Sequence, residues 1–129
     1  MRNKLLVVLL LVISLACNVY GSEYEFADDV VRILNNNSSI RPSAYVGAAI
    51  SVRGEENVLL LVASKKLAER LKAYDPKYLT AFYSHQAEET IYPLVDELLK
   101  KHKVKETIHS IEVMDSDGNT LTFIFRLRS

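Results

Sequence analysis

The chain has 129 residues, and its 16 Lys and Arg balance 16 Asp and Glu, so the formal net charge is zero at pH 7. Nucleic-acid-binding proteins usually carry clustered basic residues that displace counterions from phosphates, and this balance does not favour that class. A single cysteine argues against a scaffold held by several disulfide bonds. The length accommodates a leader and one domain with its own hydrophobic core.

The N-terminal stretch has the three parts of an export signal. Arg2 and Lys4 precede an apolar run, Leu5–Cys17, which small and polar residues follow. The run is shorter than the roughly 20 apolar residues that a membrane-spanning helix needs. We therefore predict that residues 1–21 are a signal peptide and that residues 22–129 are the mature domain.

The end of this run also resembles a bacterial lipobox, in which a small residue precedes a cysteine that becomes the lipidated N-terminus. Ala16 and Cys17 fit the pattern, whereas Ser14 stands where the family prefers an aliphatic residue. The resemblance implies cleavage after Ala16 and a lipid anchor on Cys17. The alternative is cleavage after Gly21, which discards the cysteine and releases a soluble domain.

The mature chain opens with a helix signal and then a loop. Ser22 and Glu25 form a capping-box pattern, which predicts a helix from there to about Asn35. Its apolar residues recur at four-residue intervals, as the buried face of a helix requires: Phe26, Val30 and Leu34. The Asn- and Ser-rich stretch that ends at Pro42 favours a loop.

Two extended segments follow. The alternation over Tyr45–Arg53 predicts a strand, with one apolar face made of Val46, Ala48, Ile50 and Val52. Gly54–Asn57 predicts a reversal, and the continuous apolar run Val58–Ala63 predicts a second strand.

The middle of the chain carries helix signals. Ser64 is a predicted N-cap of a short helix, and Asp75 followed by Pro76 has the pattern of an N-cap and first helical residue. A longer helical pattern then contains Pro93, which removes a backbone donor and predicts a kink or restart near Tyr92. The buried face of this pattern recurs every four residues: Ala87, Ile91, Val95 and Leu99.

The chain ends in a second predicted hairpin. Ile111 and Val113 alternate with polar residues, and Asp115–Asn119 reads as the turn. The last strand places four apolar residues on one face: Leu121, Phe123, Phe125 and Leu127. The order α-β-β-α-α-β-β predicts an α+β fold, with a four-stranded, mainly antiparallel sheet of two hairpins and helices packed on one face.

Two groups of residues contain side chains that could bind a metal ion or transfer a proton. His85 lies one helical turn before Glu89 and close to Glu88, which is the arrangement of a metal or proton-transfer pair. No third ligand stands at a recognised spacing, so a solvated polar face is the favoured interpretation and we predict neither metal nor cofactor. The Asp115–Asn119 turn lacks the spacing of a calcium loop.

Tyrosines concentrate in the predicted helices, and tyrosine combines apolar area with a hydroxyl that tolerates water. The candidate protein-binding residues are Tyr78, Phe82, Tyr83 and Tyr92. We predict a non-enzymatic cell-envelope module, exported to the periplasm and anchored in a membrane through Cys17, that binds another envelope protein and no nucleic acid. The alternatives are a secreted inhibitor or immunity protein that blocks an enzyme with the Gly54–Asn57 loop, and a small metal-dependent hydrolase using His85 and Glu89.

Overall fold

The computed structural model describes residues 22–127, which form four strands and a series of helices. In chain order, the elements are helix α1 (22–36), strands β1 (Tyr45–Arg53) and β2 (Glu56–Ala63), helices α2 (Lys65–Lys72) and α3 (Pro76–Gln86), a π-helical turn (Ala87–Ile91), helix α4 (Tyr92–Lys101), and strands β3 (Ser110–Met114) and β4 (Thr120–Phe125). If α3, the π-turn and α4 are taken as one interrupted helix, the predicted order α-β-β-α-α-β-β is confirmed.

The four strands form one sheet in the order β1-β2-β3-β4. The two hairpins, β1–β2 and β3–β4, are antiparallel, as the sequence predicts. The central strands β2 and β3 pair in parallel, with Leu59 opposite Ile111 and Leu61 opposite Val113. A parallel pair needs a crossover connection, which the helices α2 to α4 provide. The sheet is therefore mixed, with a mainly antiparallel pattern.

The core lies between the helices and one face of this sheet. The central strands contribute Leu59, Leu61, Ile111 and Val113, each fully buried. Helix α1 contributes Phe26 and Val30, and α4 contributes Val95, Leu98 and Leu99. Because these side chains belong to one cluster, the described helices pack on the same face of the sheet.

Two helix starts are capped as their sequences predict. The Ser64 side-chain oxygen accepts a hydrogen bond from the Leu67 amide at 3.2 Å. The Asp75 carboxylate accepts one from the Lys77 amide at 2.8 Å, with Pro76 at the first helical position. Each cap satisfies an amide that has no partner within its own helix.

The predicted interruption near Pro93 takes the form of a π-turn. The Tyr92 amide donates to the Ala87 carbonyl, five residues back, and α4 restarts at Tyr92. Proline cannot donate to the carbonyl four residues earlier, and its ring would clash with that carbonyl in a regular α-helix. The wider turn removes both problems, in the manner usual for π-bulges.

The strict alternation of side chains between the two faces of the sheet is interrupted at the start of β1. The register shifts between Tyr45 and Gly47, so Val46 is an extra residue and is 59% exposed. The prediction that Val46 shares the core-facing side with Ala48 and Ile50 is wrong, because a β-bulge leaves one residue unpaired. Tyr45 occupies the core side instead and is buried.

The predicted signal peptide, both cleavage positions and Cys17 lie outside the described residues. Between residues 22 and 127 no helix is long and apolar enough to cross a membrane.

Candidate interaction surfaces

Helix α3 and the connection before it present a row of exposed aromatic rings. Tyr74, Tyr78 and Phe82 are about half exposed, at 53%, 58% and 47%. Tyr78 and Phe82 are four residues apart on α3 and lie on the same side of the helix, while Tyr74 precedes the Asp75 N-cap and its ring lies 5.6 Å from that of Tyr78. The opposite side of α3 is fixed to the core by Leu79 and Tyr83. We name the three exposed rings the aromatic ridge.

Two of the four predicted binding residues are absent from this surface. Tyr83 is 4% exposed and its hydroxyl lies 2.9 Å from the buried Tyr45 hydroxyl. Tyr92 is 1% exposed, and the Arg126 guanidinium stands over its ring at 4.7 Å. Neither ring offers area to a partner, so this part of the predicted set is corrected.

Tyr78 and Phe82 are accessible, and their helical spacing is the sequence signal that places them on one side of α3. Tyr74 lies before the helix, and its place in the row comes from its contact with the Tyr78 ring. On α3, the core positions Leu79 and Tyr83 are also four apart, one residue after each exposed ring. Two interleaved series of this kind separate an inner from an outer helix face.

A hollow of about 370 Å³ lies beside the ridge, between the α2–α3 junction and the β3–β4 turn. Tyr74 forms part of its wall, with Leu71, Leu79 and Leu121 as apolar lining. Its polar rim includes an ion pair between the Lys72 ammonium and the Asp115 carboxylate, at 3.1 Å. The hollow extends the apolar area of the ridge toward the turn.

Asp115 organises that turn through its side chain. Its carboxylate accepts hydrogen bonds from the amides of Asp117 at 3.0 Å and Asn119 at 2.8 Å. The bond from the Asn119 backbone, together with those from Lys72 and the Asn119 side chain, lowers the pKa of Asp115 to about 2. Gly118 adopts a φ of 88°, which favours glycine. The predicted hairpin turn is confirmed.

The side chains on the second face of the sheet lie outside the core cluster of residues 22–127, although Val58 and Ser110 on this face are fully buried. The register of the strands arranges its side chains in three cross-strand rows: Gly47, Val62, Met114, Thr120; Ala49, Leu60, Glu112, Phe123; and Ser51, Val58, Ser110, Phe125. We name this surface the open face. It includes Phe125, which is 67% exposed, and the ring of Phe123 at 5.0 Å from it.

One charged group is nearly buried on the open face. The Glu112 carboxylate pairs with the Arg53 guanidinium and accepts a hydrogen bond from the Thr120 hydroxyl. Desolvation raises the pKa of Glu112, but the bonds from Thr120 and Arg53 outweigh it and hold the pKa below its usual value. The carboxylate is therefore ionised and neutralised within its own chain.

The predicted His85 group stands apart from the other histidines. His85 and Glu89 are exposed, while the Glu88 carboxylate accepts a hydrogen bond from the Leu127 amide at 2.7 Å.

The other two histidines contact different elements. His102 Nε2 lies 2.6 Å from the Asp29 carboxylate on α1, and His109 Nδ1 accepts a hydrogen bond from the Asn57 amide. Among residues 22–127, no three or more His, Cys, Asp or Glu side chains form a group suited to a metal ion.

Searches of protein-family models, of curated proteins and of solved structures return no match to this chain, so the two surfaces are interpreted from their own geometry.

Proposed function

We propose that this chain is a small exported protein of the cell envelope that is anchored through Cys17 and binds another envelope protein, without catalysis, through the aromatic ridge. The proposed export and anchoring rest on the charged, apolar and small residues of 1–21 and on the lipobox-like Ala16–Cys17. The binding role rests on the described surface.

The observation that carries the proposal is the half exposure of Tyr74, Tyr78 and Phe82 in one row. Aromatic residues, above all tyrosine, are enriched in protein interfaces, because they bury large areas and have few rotatable bonds to immobilise. The helix beneath them is held by its Asp75 cap and by the buried Leu79. A partner would thus meet a preorganised surface and would not have to order it.

The ridge has a natural extension into the neighbouring hollow. Tyr74 belongs to both, and Leu121 from β4 reaches the hollow from the other side. A partner side chain that enters the hollow would move out of water and contact the apolar lining. At the rim it would meet Lys72 and Asp115. This arrangement, with apolar centre and polar edge, is typical of protein interfaces.

The experiment compares capture by three forms of the full chain, each expressed with a C-terminal tag in an exporting bacterium and recovered from solubilised envelopes. The ridge variant carries Tyr78→Ser and Phe82→Ser. The control carries Tyr24→Ser, because Tyr24 is another exposed tyrosine, at 71%, on α1.

We expect the unmodified chain and the Tyr24 variant to recover the same envelope protein, and the ridge variant to recover at least about tenfold less, which corresponds to about 1.4 kcal/mol. Equal recovery by the ridge variant, or no specific protein in any sample, would contradict the proposal.

The anchor has its own test, which does not depend on the ridge. The intact mass of the isolated protein distinguishes a diacylated Cys17, a start at Ser22 and a retained Met1. The proposal requires the first; a start at Ser22 would replace the anchored form by a soluble one.

A second candidate, the secreted inhibitor, draws on the hairpin between β1 and β2. Gly54 and Glu55 form a two-residue turn with Gly54 at a φ of 66°, and both residues are exposed at the tip. A short exposed loop on a rigid hairpin has the shape to enter an enzyme cleft. Inhibition assays with purified envelope hydrolases would support this candidate only if Glu55→Ala weakens inhibition and the ridge variant does not.

A further inference from the structure

A lysine-rich segment spans the end of helix α4 and the connection after it. Lys100–Lys105 contains four lysines and no acidic residue. Lys101 pairs with Asp29 at 3.2 Å, whereas Lys100, Lys103 and Lys105 are exposed and form no ion pair among residues 22–127. We name these three residues the lysine cluster. A helix dipole favours a cation only within the last turn, so it does not account for Lys105, which lies beyond the end of α4.

Lys103 occupies a position where glycine is the usual residue. It follows the C-cap His102 and has a φ of 56°, in the left-handed region. Its amide donates to the Lys100 carbonyl at 3.2 Å, and the Val104 amide donates to the Leu99 carbonyl at 2.9 Å. These two bonds form the Schellman motif that ends many helices, and glycine fits its left-handed residue best. The fold alone would favour glycine here, and the lysine therefore points to a use of its charge.

The first turns of α1 lie against this segment. His102 Nε2 lies 2.6 Å from the Asp29 carboxylate, and His102 Nδ1 lies 3.7 Å from the Glu25 carboxylate. Closer to the start of α1, burial and then the nearby Glu106 carboxylate raise the pKa of Glu23. The N-terminal end of α1 is therefore next to the connection that carries the lysine cluster.

The proposed lipid anchor precedes this end of α1 by a short length of chain. Five residue steps separate Cys17 from Ser22, and a chain covers at most about 3.6 Å per residue, or roughly 18 Å in all. A lipid on Cys17 would thus hold the start of α1 close to the membrane surface, with the lysine cluster beside it.

We propose that the lysine cluster is a membrane-contact surface that binds the anionic headgroups of the bilayer in which the anchor is inserted. The inference rests on the Cys17 anchor proposed above, and it assigns the anchored domain an orientation, with the end of α4 toward the lipid. Each lysine close to an anionic membrane strengthens association about fivefold, so that three contribute roughly 100-fold. Lysine suits this role, because its mobile, compact ammonium group needs no fixed geometry of its partner. The aromatic ridge on α3 is not part of this surface.

The test uses the full chain, isolated from envelopes of an exporting bacterium and inserted into vesicles of phosphatidylcholine or of an equal mixture with phosphatidylglycerol. Flotation shows insertion, and acetylation followed by mass spectrometry measures the accessibility of each lysine. We expect acetylation of the lysine cluster to slow at least about fivefold in the anionic vesicles and to recover in high salt. Lys65 and Lys77, exposed on α2 and α3, are the internal control and should react at the same rate in both vesicles.

Lys103→Gly separates a membrane role from a structural one. Glycine suits the left-handed backbone, so the melting temperature should stay the same or rise. The protection of Lys100 and Lys105 by anionic vesicles should nevertheless fall at least about twofold, because one of three charges is lost. Lys77→Gln, which removes a lysine elsewhere, should leave this protection unchanged.

The outcomes separate the membrane contact from the anchor. A chain that does not float with neutral vesicles lacks the anchor, and this result would overturn both. A chain that floats, but whose lysine cluster reacts equally in both vesicles, would overturn the membrane contact alone. Unchanged protection in Lys103→Gly would do the same, as would equal protection by inorganic phosphate without vesicles.

Discussion

The hydroxyl groups of Tyr45 and Tyr83 lie 2.9 Å apart in the core and join the first residue of β1 to helix α3. Burial raises the pKa of both phenols, so both remain protonated and one donates to the other. The pair fixes the inner side of α3 against the sheet. As a consequence, Tyr78 and Phe82 face outward on a helix whose rotation is determined by buried contacts.

Removal of one hydroxyl of this pair should destabilise the domain. Tyr83→Phe leaves the Tyr45 hydroxyl buried without a partner, and we expect the free energy of unfolding to fall by about 1–2 kcal/mol. The double variant Tyr45→Phe/Tyr83→Phe should lose less than the sum of the two single variants, because no orphaned hydroxyl remains. Urea denaturation of all four forms gives the coupling. Strict additivity would show that the two groups do not interact.

The ridge should be separable from the stability of the domain. Tyr78→Ser/Phe82→Ser replaces half-exposed rings, and we expect it to change the free energy of unfolding by no more than about 1 kcal/mol. Leu79→Ala, between them on the buried side, should cost about 2–5 kcal/mol, since it leaves a cavity. Chemical denaturation compares the free energies of unfolding of the ridge variant and of Leu79→Ala. A large loss in the ridge variant would indicate that these rings serve the fold.

The stability of the domain should depend on the ionisation of Asp115 at acid pH. Its pKa in the folded state is about 2, below the ordinary value of 3.8, so the stabilisation is complete above about pH 4 and disappears as the pH falls toward 2. Asp115→Asn should therefore lower the melting temperature at pH 7, and its deficit should shrink between pH 4 and pH 2. Asp117→Asn, at an exposed position of the same turn, controls for the loss of one charge. A deficit that is constant over this range would contradict the assignment.

Arg126 should not be replaceable by lysine. Its guanidinium donates to the Asp96 carboxylate at 3.0 Å and to the Ile108 carbonyl at 3.4 Å, while its plane lies over Tyr92. A lysine keeps the positive charge but cannot make the two parallel hydrogen bonds to Asp96 or lie over the Tyr92 ring in the same way. We expect Arg126→Lys to lower the free energy of unfolding by about 1–2 kcal/mol. Arg32→Lys is the control, because that arginine is 58% exposed in its pair with Asp29 and should have almost no effect. Similar losses in both variants would remove the distinction.

Local signals in the sequence were sufficient for most elements of the fold. Ser64 and Asp75 cap the helices for which they were predicted, because an N-cap depends on a side chain and amides two or three residues away. Pro93 predicted the interruption, since the missing donor is a property of the residue itself. The Asp115–Asn119 turn was also predictable from local residues, because Asp, Gly and Asn favour turns through their own side chains and backbone conformations.

Features that depend on distant partners were not predictable in this way. The parallel pairing of Leu59 with Ile111 is decided by the path of the helical crossover, and the bulge at Val46 by the register with β2. Tyr83 and Tyr92 look equivalent to Tyr78 in the sequence, yet only tertiary packing assigns them to the core. For the candidate site, helical spacing identified the helix, and burial was needed to separate its two faces.

The most direct test of the central claim is site-specific photo-crosslinking at Tyr78 in living cells, with the full chain and with Tyr24 as the matched position. Both tyrosines are exposed and helical, but Tyr78 belongs to the ridge and Tyr24 to α1. We predict one major adduct with an envelope protein from position 78, none of that mass from position 24, and loss of the adduct when Phe82 is also changed to serine. Identical adduct patterns from the two positions, or none from position 78, would contradict the ridge as a protein-binding surface.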